Sequence, residues 1–302
     1  MSAIEGSGKG AGSSRESAAS RSGHGARGLT IDFLNPKGDK GLNGPGSVGW
    51  RVRANPISTA VGGVAAVILE LAEPAIRAGV WDHSTFKTDP IQRMRSTGMT
   101  AMTVTYGPTR AAQMTFDRVT RMHRRVTGLT HEGKPYQAMD PALLTWVHAT
   151  AAWGFLNAFI RYVDPKLSRT DQDRFYAESE LIGKGFGAQW VPTSVAAMDA
   201  YMAEMTPKLY ANETVHEFLA LVRNATPLGT VGKPMQRLVA QAAIDLLPEA
   251  MRKQVGVEAL PAFLIRPAVG ALARAARFAQ RFADGPPQQA CRRLGVSTDC
   301  LL

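Results

Sequence analysis

The spacing of apolar residues constrains this chain more than any other feature of its sequence. From residue 56 to residue 283, apolar side chains recur at intervals of three and four. No useful stretch shows the alternation of apolar and polar residues that is typical of a strand. The chain has 302 residues, of which 45% are hydrophobic, so it is long enough to bury a large core. We therefore predict an all-α fold, built as a single multi-helix domain.

Proline, glycine and short polar residues divide this pattern into helices. Asp140-Pro141 is a strong start signal, because Asp caps a helix and Pro fits its first turn. Gly128 is predicted to end the third helix in a left-handed conformation, and residues 130–139 are predicted to form a turn or small hairpin. The predicted helices cover residues 56–78 with Pro74 as a potential break, 90–106, 108–127, 141–163, 168–184, 192–204, 213–224, 234–247 and 260–283.

The two ends of the chain differ from this body. Residues 1–28 are rich in Ser, Gly, Ala and Arg, a composition that does not pack. We predict a largely disordered, basic tail over 1–47, a catalytic domain over 48–283 and a C-terminal tail over 284–302. The most apolar stretch, Ile57–Leu69, is too short to span a bilayer, and no secretory signal is evident. We therefore expect a cytoplasmic protein, with peripheral membrane contact left open and the oligomeric state unspecified.

The net charge of +10 raises the question of nucleic-acid binding. Residues 1–53 carry eight basic and four acidic residues, and residues 266–302 carry six basic and two acidic ones. The remaining 212 residues hold 21 basic and 19 acidic side chains, so the excess charge lies at the ends. A nucleic-acid footprint needs a basic stripe on a folded face, and we expect no nucleic-acid partner.

Two histidines are predicted to lie on apolar helix faces. His123 shares a face with Phe116 and Val119, and His148 shares one with Leu144 and Phe155. An isolated histidine of this kind is most often a hydrogen-bonded core residue. Two of them in one helical body favour a ligand role, because an imidazole in an apolar helical pocket commonly holds haem iron. The residues alone do not rank one above the other.

Arg93 and Thr97 form a third candidate feature, since side chains four apart on a helix project together. A guanidinium beside a hydroxyl can bind a carboxylate, such as a haem propionate, or polarise bound oxygen. The alternative is a surface arginine with a helix-facing threonine. The sequence contains no phosphate-binding loop, no nucleophile elbow and no His-Glu-x-x-His zinc motif.

Taken together, these segments resemble the MpaB-like oxygenase family, whose catalytic domain is shared with rubber oxygenases (latex-clearing proteins). The resemblance covers roughly residues 48–275, and the ordered series of motifs is more specific than any one of them. The motifs that carry it are Gly49–Arg53, Asp82–Phe86, Arg93–Thr97, Met122–Gly128, Tyr136–Pro141, Leu144–Thr150, Asp171–Glu178 and Pro192–Tyr201.

The resemblance implies a helical fold that carries haem b, with histidine as the proximal ligand of the iron. It implies that Arg93 and Thr97 lie on the distal side and act in catalysis. Rubber oxygenases can place a lysine just before that threonine as a second iron ligand, whereas this chain has Ser96 there. The Met-His-x-x-Val context favours His123 as the iron ligand, with His148 as second choice, and Arg124 is a candidate for the propionates, although an arginine-rich helix face is more often solvated.

The implied function is a haem-dependent oxygenase. It would use dioxygen on a hydrophobic small molecule, such as an isoprenoid or a lipid-like compound, with oxidative cleavage of a carbon–carbon double bond. The alternative is a non-catalytic helical protein that binds haem or lipid. In the lipid-binding case, both histidines would be ordinary core residues.

Overall fold

A computed structural model describes residues 31–83, 86, 88–225 and 232–302. Within these residues the fold is all-α and forms a single domain, as predicted. One antiparallel strand pair, β1 (Thr127–Leu129) and β2 (Pro135–Gln137), accompanies the helices. The helices are α1 (Val48–Ala54), α2 (Pro56–Leu71), α3 (Pro74–His83), α4 (Pro90–Tyr106), α5 (Thr109–His123), α6 (Pro141–Tyr162), α7 (Arg169–Gly185), α8 (Val195–Met205), α9 (Glu213–Asn224), α10 (Lys233–Leu246), α11 (Glu249–Val255), α12 (Ala262–Ala279) and α13 (Pro286–Leu294).

The helix starts follow the local signals in the sequence. Asn55 and Asp140 cap α2 and α6 by accepting hydrogen bonds from backbone amides of the first turn. Each of these helices also begins with proline, whose missing amide proton would have no partner there. Pro74 does separate two helices, because α2 ends at Leu71 and α3 begins at Pro74. Ser84 and Thr85 of the Asp82–Phe86 motif lie outside the described residues.

The end of α5 differs from the prediction. The helix ends at His123 instead of near residue 127, and Gly128 belongs to β1 without a left-handed conformation. The predicted hairpin is present, since Gly128 pairs with Tyr136. A Cβ added at Gly128 would lie 3.0 Å from the hydroxyl oxygen of Tyr136, so the Tyr136 ring covers this position closely. The glycine therefore makes room for a ring across the hairpin and does not end a helix.

The core is organised around the crossing of α2 and α6. A Cβ added at Gly62 would lie 2.5 Å from the carbonyl oxygen of Gly154, so the two backbones approach closely at this pair. Further along, the Trp146 indole donates to the carbonyl of Leu69 at 3.4 Å. By length and composition α6 could cross a membrane, and α1 and α2 would pass the same test as a pair bent by 93°. In the structure, 61% of the apolar window of α6 is buried inside the protein, where α6 crosses α2.

The packed body extends beyond the predicted limits of 48 and 283. Phe33 is buried, and α13 lies within the predicted C-terminal tail. The buried guanidinium of Arg293 explains this difference, because it donates to the carbonyl oxygens of Phe33, Asp39 and Tyr106 at 2.7–2.8 Å. The hydrogen bonds of Arg293 thereby connect α13 and the segment that contains Phe33 and Asp39 to the end of α4. Residues 1–30 of the predicted tail lie outside the described residues.

Candidate functional site

Arg93 and Thr97 contact each other on the N-terminal half of α4. The Arg93 guanidinium donates to the Thr97 hydroxyl oxygen at 2.7 Å, and that hydroxyl donates to the Arg93 carbonyl at 3.0 Å. The pair lies one helical turn apart, as the spacing predicts. Arg93 is half-buried and Thr97 is exposed. The hydroxyl thus orients a guanidinium that faces the protein on one side and solvent on the other.

Glu70, near the end of α2, brings a carboxylate to the same place. The buried hydroxyl of Thr150 on α6 donates to its Oε1 at 3.2 Å. Burial raises the pKa of Glu70 to about 7, against the lowering effects of the Thr150 hydrogen bond and the Arg93 charge. The raised pKa means that this carboxyl can take up or release a proton close to neutral pH.

His123 approaches this group from α5, which packs beside α4. Burial lowers the pKa of its imidazole, and the positive charge of Arg93 lowers it further. Its Nδ1 is buried and has no hydrogen-bond partner among the described residues. A neutral imidazole with an unpaired nitrogen is in the form that binds a metal. Hydrogen bonds join Arg93 to Thr97 and Thr150 to Glu70, and the charge of Arg93 acts on both Glu70 and His123; these five residues are hereafter the Arg93 cluster.

His148 lies in a different environment, between α6 and α7. A Cβ added at Gly183 would lie 2.9 Å from its Cδ2 and 2.8 Å from Cγ1 of Val191, so the ring is packed against the α7 backbone. Burial lowers the pKa of His148 to about 3, and the second cause is the charge of Arg53. The imidazole is consequently neutral at physiological pH and enclosed by protein.

Arg53 on α1 is a buried arginine whose charge helps to lower the pKa of His148. Its guanidinium lies 5.4 Å from the ring centre of Phe155 and 5.0 Å from that of Phe175. Burial lowers its pKa to about 10, against the raising effects of Tyr106 and Glu178. The side chain remains charged at neutral pH, held by aromatic faces.

The structure brings together only some of the residues that the sequence singled out. Arg93 contacts Thr97 and its charge acts on His123, whereas the charge that acts on His148 is that of Arg53. Arg124 lies exposed just after α5. Glu70, which directly follows the apolar stretch Ile57–Leu69, was not among the residues predicted for the site. Its position between Leu69 and Leu71, both fully buried, was the available signal.

The donor set of the Arg93 cluster fits a haem better than a bare metal ion. Among the described residues, no group of three or more His, Cys, Asp or Glu side chains lies close enough to hold a metal. A porphyrin brings four nitrogen ligands of its own and needs one imidazole from the protein. His123 offers such an imidazole with an orphaned nitrogen. Gly98, beside Thr97, is exposed, and a Cβ added there would meet nothing within 4 Å, so this side of α4 faces solvent.

Comparison with known proteins identifies the family of the chain. The family described as ER-bound oxygenase mpaB/B'/Rubber oxygenase, catalytic domain, matches residues 50–281. Curated proteins yield no match, and neither do solved structures. The family match covers most of the chain and confirms the resemblance that the motifs indicated. This chain belongs to the MpaB and rubber oxygenase catalytic-domain family, which is a family of oxygenases.

Proposed function

We propose that this protein is a haem b-dependent oxygenase that acts on an apolar, isoprenoid or lipid-like substrate with dioxygen. One observation supports this most strongly: the guanidinium of Arg93 is bonded to Thr97 and acts electrostatically on both Glu70 and His123. A neutral imidazole can hold haem iron, and a hydrogen-bond donor near the iron favours oxygen chemistry. The imidazole of His123, the guanidinium of Arg93 and the proton-exchanging carboxyl of Glu70 come from three different helices.

His123 is the residue that would hold the iron, through an imidazole that burial keeps neutral. Arg93 and the exposed Arg124 are the cations available to the haem propionates, since guanidinium and carboxylate groups pair strongly. When bound, the haem supplies the redox chemistry for activating oxygen. We place His148 outside this role, because its ring is packed against Gly183 and Val191.

The chain's own residues then position charge and protons. Arg93 supplies a donor that Thr97 orients, and this donor stabilises negative charge as it develops on an oxygen atom of the reactants. When the bound haem and substrate exclude water from it, one such donor is worth about 3 kcal/mol of barrier, which is on the order of a hundredfold in rate. Glu70 exchanges a proton at its carboxyl oxygen, and Thr150 holds that carboxyl in place. Oxidative cleavage of a carbon–carbon double bond is the reaction we propose, in the cytoplasm.

Oxygen uptake tests this proposal. Protein supplied with haem should consume oxygen with a polyunsaturated isoprenoid such as squalene. Arg93→Gln should lower the turnover rate on the order of a hundredfold, and Thr97→Val should lower it less, since the guanidinium remains. Arg110→Gln, an exposed change on α5, serves as the matched control and should leave turnover unchanged. A haem spectrum without oxygen uptake on any alkene would indicate a haem carrier and overturn the catalytic proposal.

A further inference from the structure

The exposed face of α12 carries a continuous apolar stripe. Ile265, Val269 and Ala273 bury the opposite face of the helix in the core. On the solvent face, Phe278 is exposed, and a helical period of 3.6 residues aligns it with four other exposed apolar residues of α12. These residues are Leu264, Pro267, Ala271 and Ala275, and the exposed Leu260 and Phe282 lie just before and just after the helix. Single exposed apolar residues are ordinary on a protein surface, whereas an aligned stripe of this length indicates an interaction surface.

Arginines run along one flank of this stripe. Residues 259–283 contain Arg266, Arg274, Arg277 and Arg281 and no acidic residue. Arg266 is paired with the buried carboxylate of Asp245, and Arg277 donates to the main-chain oxygen of Leu302. Neither Arg274 nor Arg281 forms an ion pair with a carboxylate in the part of the chain that the structure describes. Two cations therefore remain available for an anionic partner.

Residues of the apolar stripe and of the arginine flank line one groove. It has a volume of about 310 Å³ and is lined by Arg274, Arg277, Phe278, Arg281 and Leu302. The Arg281 guanidinium lies 5.9 Å from the ring centre of Phe278, and the rings of Phe278 and Phe282 make an edge contact at 5.6 Å. Cations and aromatic rings thus share one surface, the combination that suits the boundary between lipid headgroups and acyl chains.

We propose that this face of α12 binds the surface of an anionic phospholipid membrane. The aromatic and aliphatic side chains enter the acyl boundary, and Arg274 and Arg281 contact lipid phosphates at the groove. Charge complementarity selects this partner. A second copy of the chain would bring the same arginines into opposition. Residues 1–30 carry four basic and two acidic residues, so they do not complement the arginines either. The inference concerns a surface distinct from the Arg93 cluster and stands apart from the proposed function.

Co-sedimentation of the full chain with lipid vesicles tests the proposal. The protein should pellet with vesicles of phosphatidylserine in phosphatidylcholine, and much less with phosphatidylcholine alone. Binding should weaken as salt is raised, because surface charge interactions are screened. The assay needs no haem, so its failure and a failure of the oxygenase proposal are distinguishable.

Two pairs of variants separate the stripe from the arginines. Phe263, beside Leu264 in the first turn of α12, and Phe282 are the most exposed aromatic side chains at the two ends of the stripe, at 74% and 78% exposed. Phe263→Ser/Phe282→Ser should therefore retain the fold and abolish most of the binding to anionic vesicles. Arg274→Gln/Arg281→Gln should weaken binding about 25-fold, at about fivefold for each arginine. The matched controls are Leu181→Ser and Arg110→Gln/Arg237→Gln, which remove an exposed apolar residue and two exposed arginines elsewhere. The controls should bind like the unaltered protein.

Three outcomes would overturn the proposal. The first is no binding to anionic vesicles. The second is an equal loss in the arginine variant and its charge-matched control, which would show that only net charge matters. The third is a dimer that Phe263→Ser/Phe282→Ser dissociates, measured by light scattering, with no vesicle binding. That result would make the face an interface between copies of this chain.

Discussion

His123 and His148 have the same sequence signature and opposite surroundings. Each lies on an apolar helix face with an arginine as its nearest electrostatic partner. The His123 ring leaves a buried nitrogen unpaired, feels the charge of Arg93 and comes from a helix that packs beside α4, whose Gly98 faces solvent. The His148 ring is pressed against Gly183 and packed among core residues. A periodic pattern shows which face a histidine occupies, whereas only tertiary packing shows whether that face has room for a ligand.

The free energy of unfolding at acidic pH should depend on His148. Burial lowers the pKa of His148 from 6.5 to about 3. Between these values the unfolded chain binds a proton that the native state does not, so stability falls as the pH falls from 6.5 towards 3. The loss should be on the order of 4 kcal/mol. Urea unfolding of His148→Gln across this range should show a flatter acidic limb, and an unchanged limb would contradict the buried, neutral imidazole.

Glu70, in the Arg93 cluster, should make the free energy of unfolding change with pH in the opposite direction. Burial raises its pKa from 4.5 to about 7, so the native state keeps a proton that the unfolded chain has released. Stability should therefore fall by about 3 kcal/mol as the pH rises from 4.5 through 7. Glu70→Gln should remove this slope, and its stability relative to the unaltered protein should increase with pH. Equal slopes for the two proteins would show that the carboxyl titrates normally.

Two glycine substitutions compare the packed surroundings of His148 with the open surface of α4. Their effects on stability should be smaller than those of the two pH-dependent changes. Gly183→Ala places a methyl group 2.9 Å from the His148 ring and should destabilise by about 1–3 kcal/mol. Gly98→Ala meets nothing within 4 Å and should stabilise the helix by about 1 kcal/mol. Chemical denaturation of both variants measures the difference. Destabilisation of similar size at both positions would mean that α4 is not open beside Thr97.

Much of the fold follows from local signals that the sequence displays. The starts of α2, α4 and α6 each combine a capping side chain with proline. The short helices α1, α11 and α13 went unpredicted, because seven to nine residues hold too few turns to establish a period. The packing of α13 depends on Arg293 reaching three distant carbonyls, which no local pattern reveals.

The candidate site was predictable in part for the same reason. Arg93 and Thr97 are four apart in sequence, so helical geometry alone brings them together. Glu70 and Thr150 are 80 residues apart and meet through the close crossing of α2 and α6. No pattern in the sequence singles out Arg53 or Glu70, the charged residues on either side of the apolar stretch Ile57–Leu69. The structure largely buries both, because other helices cover the ends of α2.

The absorption spectrum of haem-supplied protein tests the central claim most directly. His123→Ala removes the proposed iron ligand, and His148→Ala removes a histidine that lies outside the Arg93 cluster. The account predicts a Soret band in the unaltered protein, its retention in His148→Ala and its loss or displacement in His123→Ala. No Soret band in the unaltered protein, or an unchanged band in His123→Ala, would contradict it.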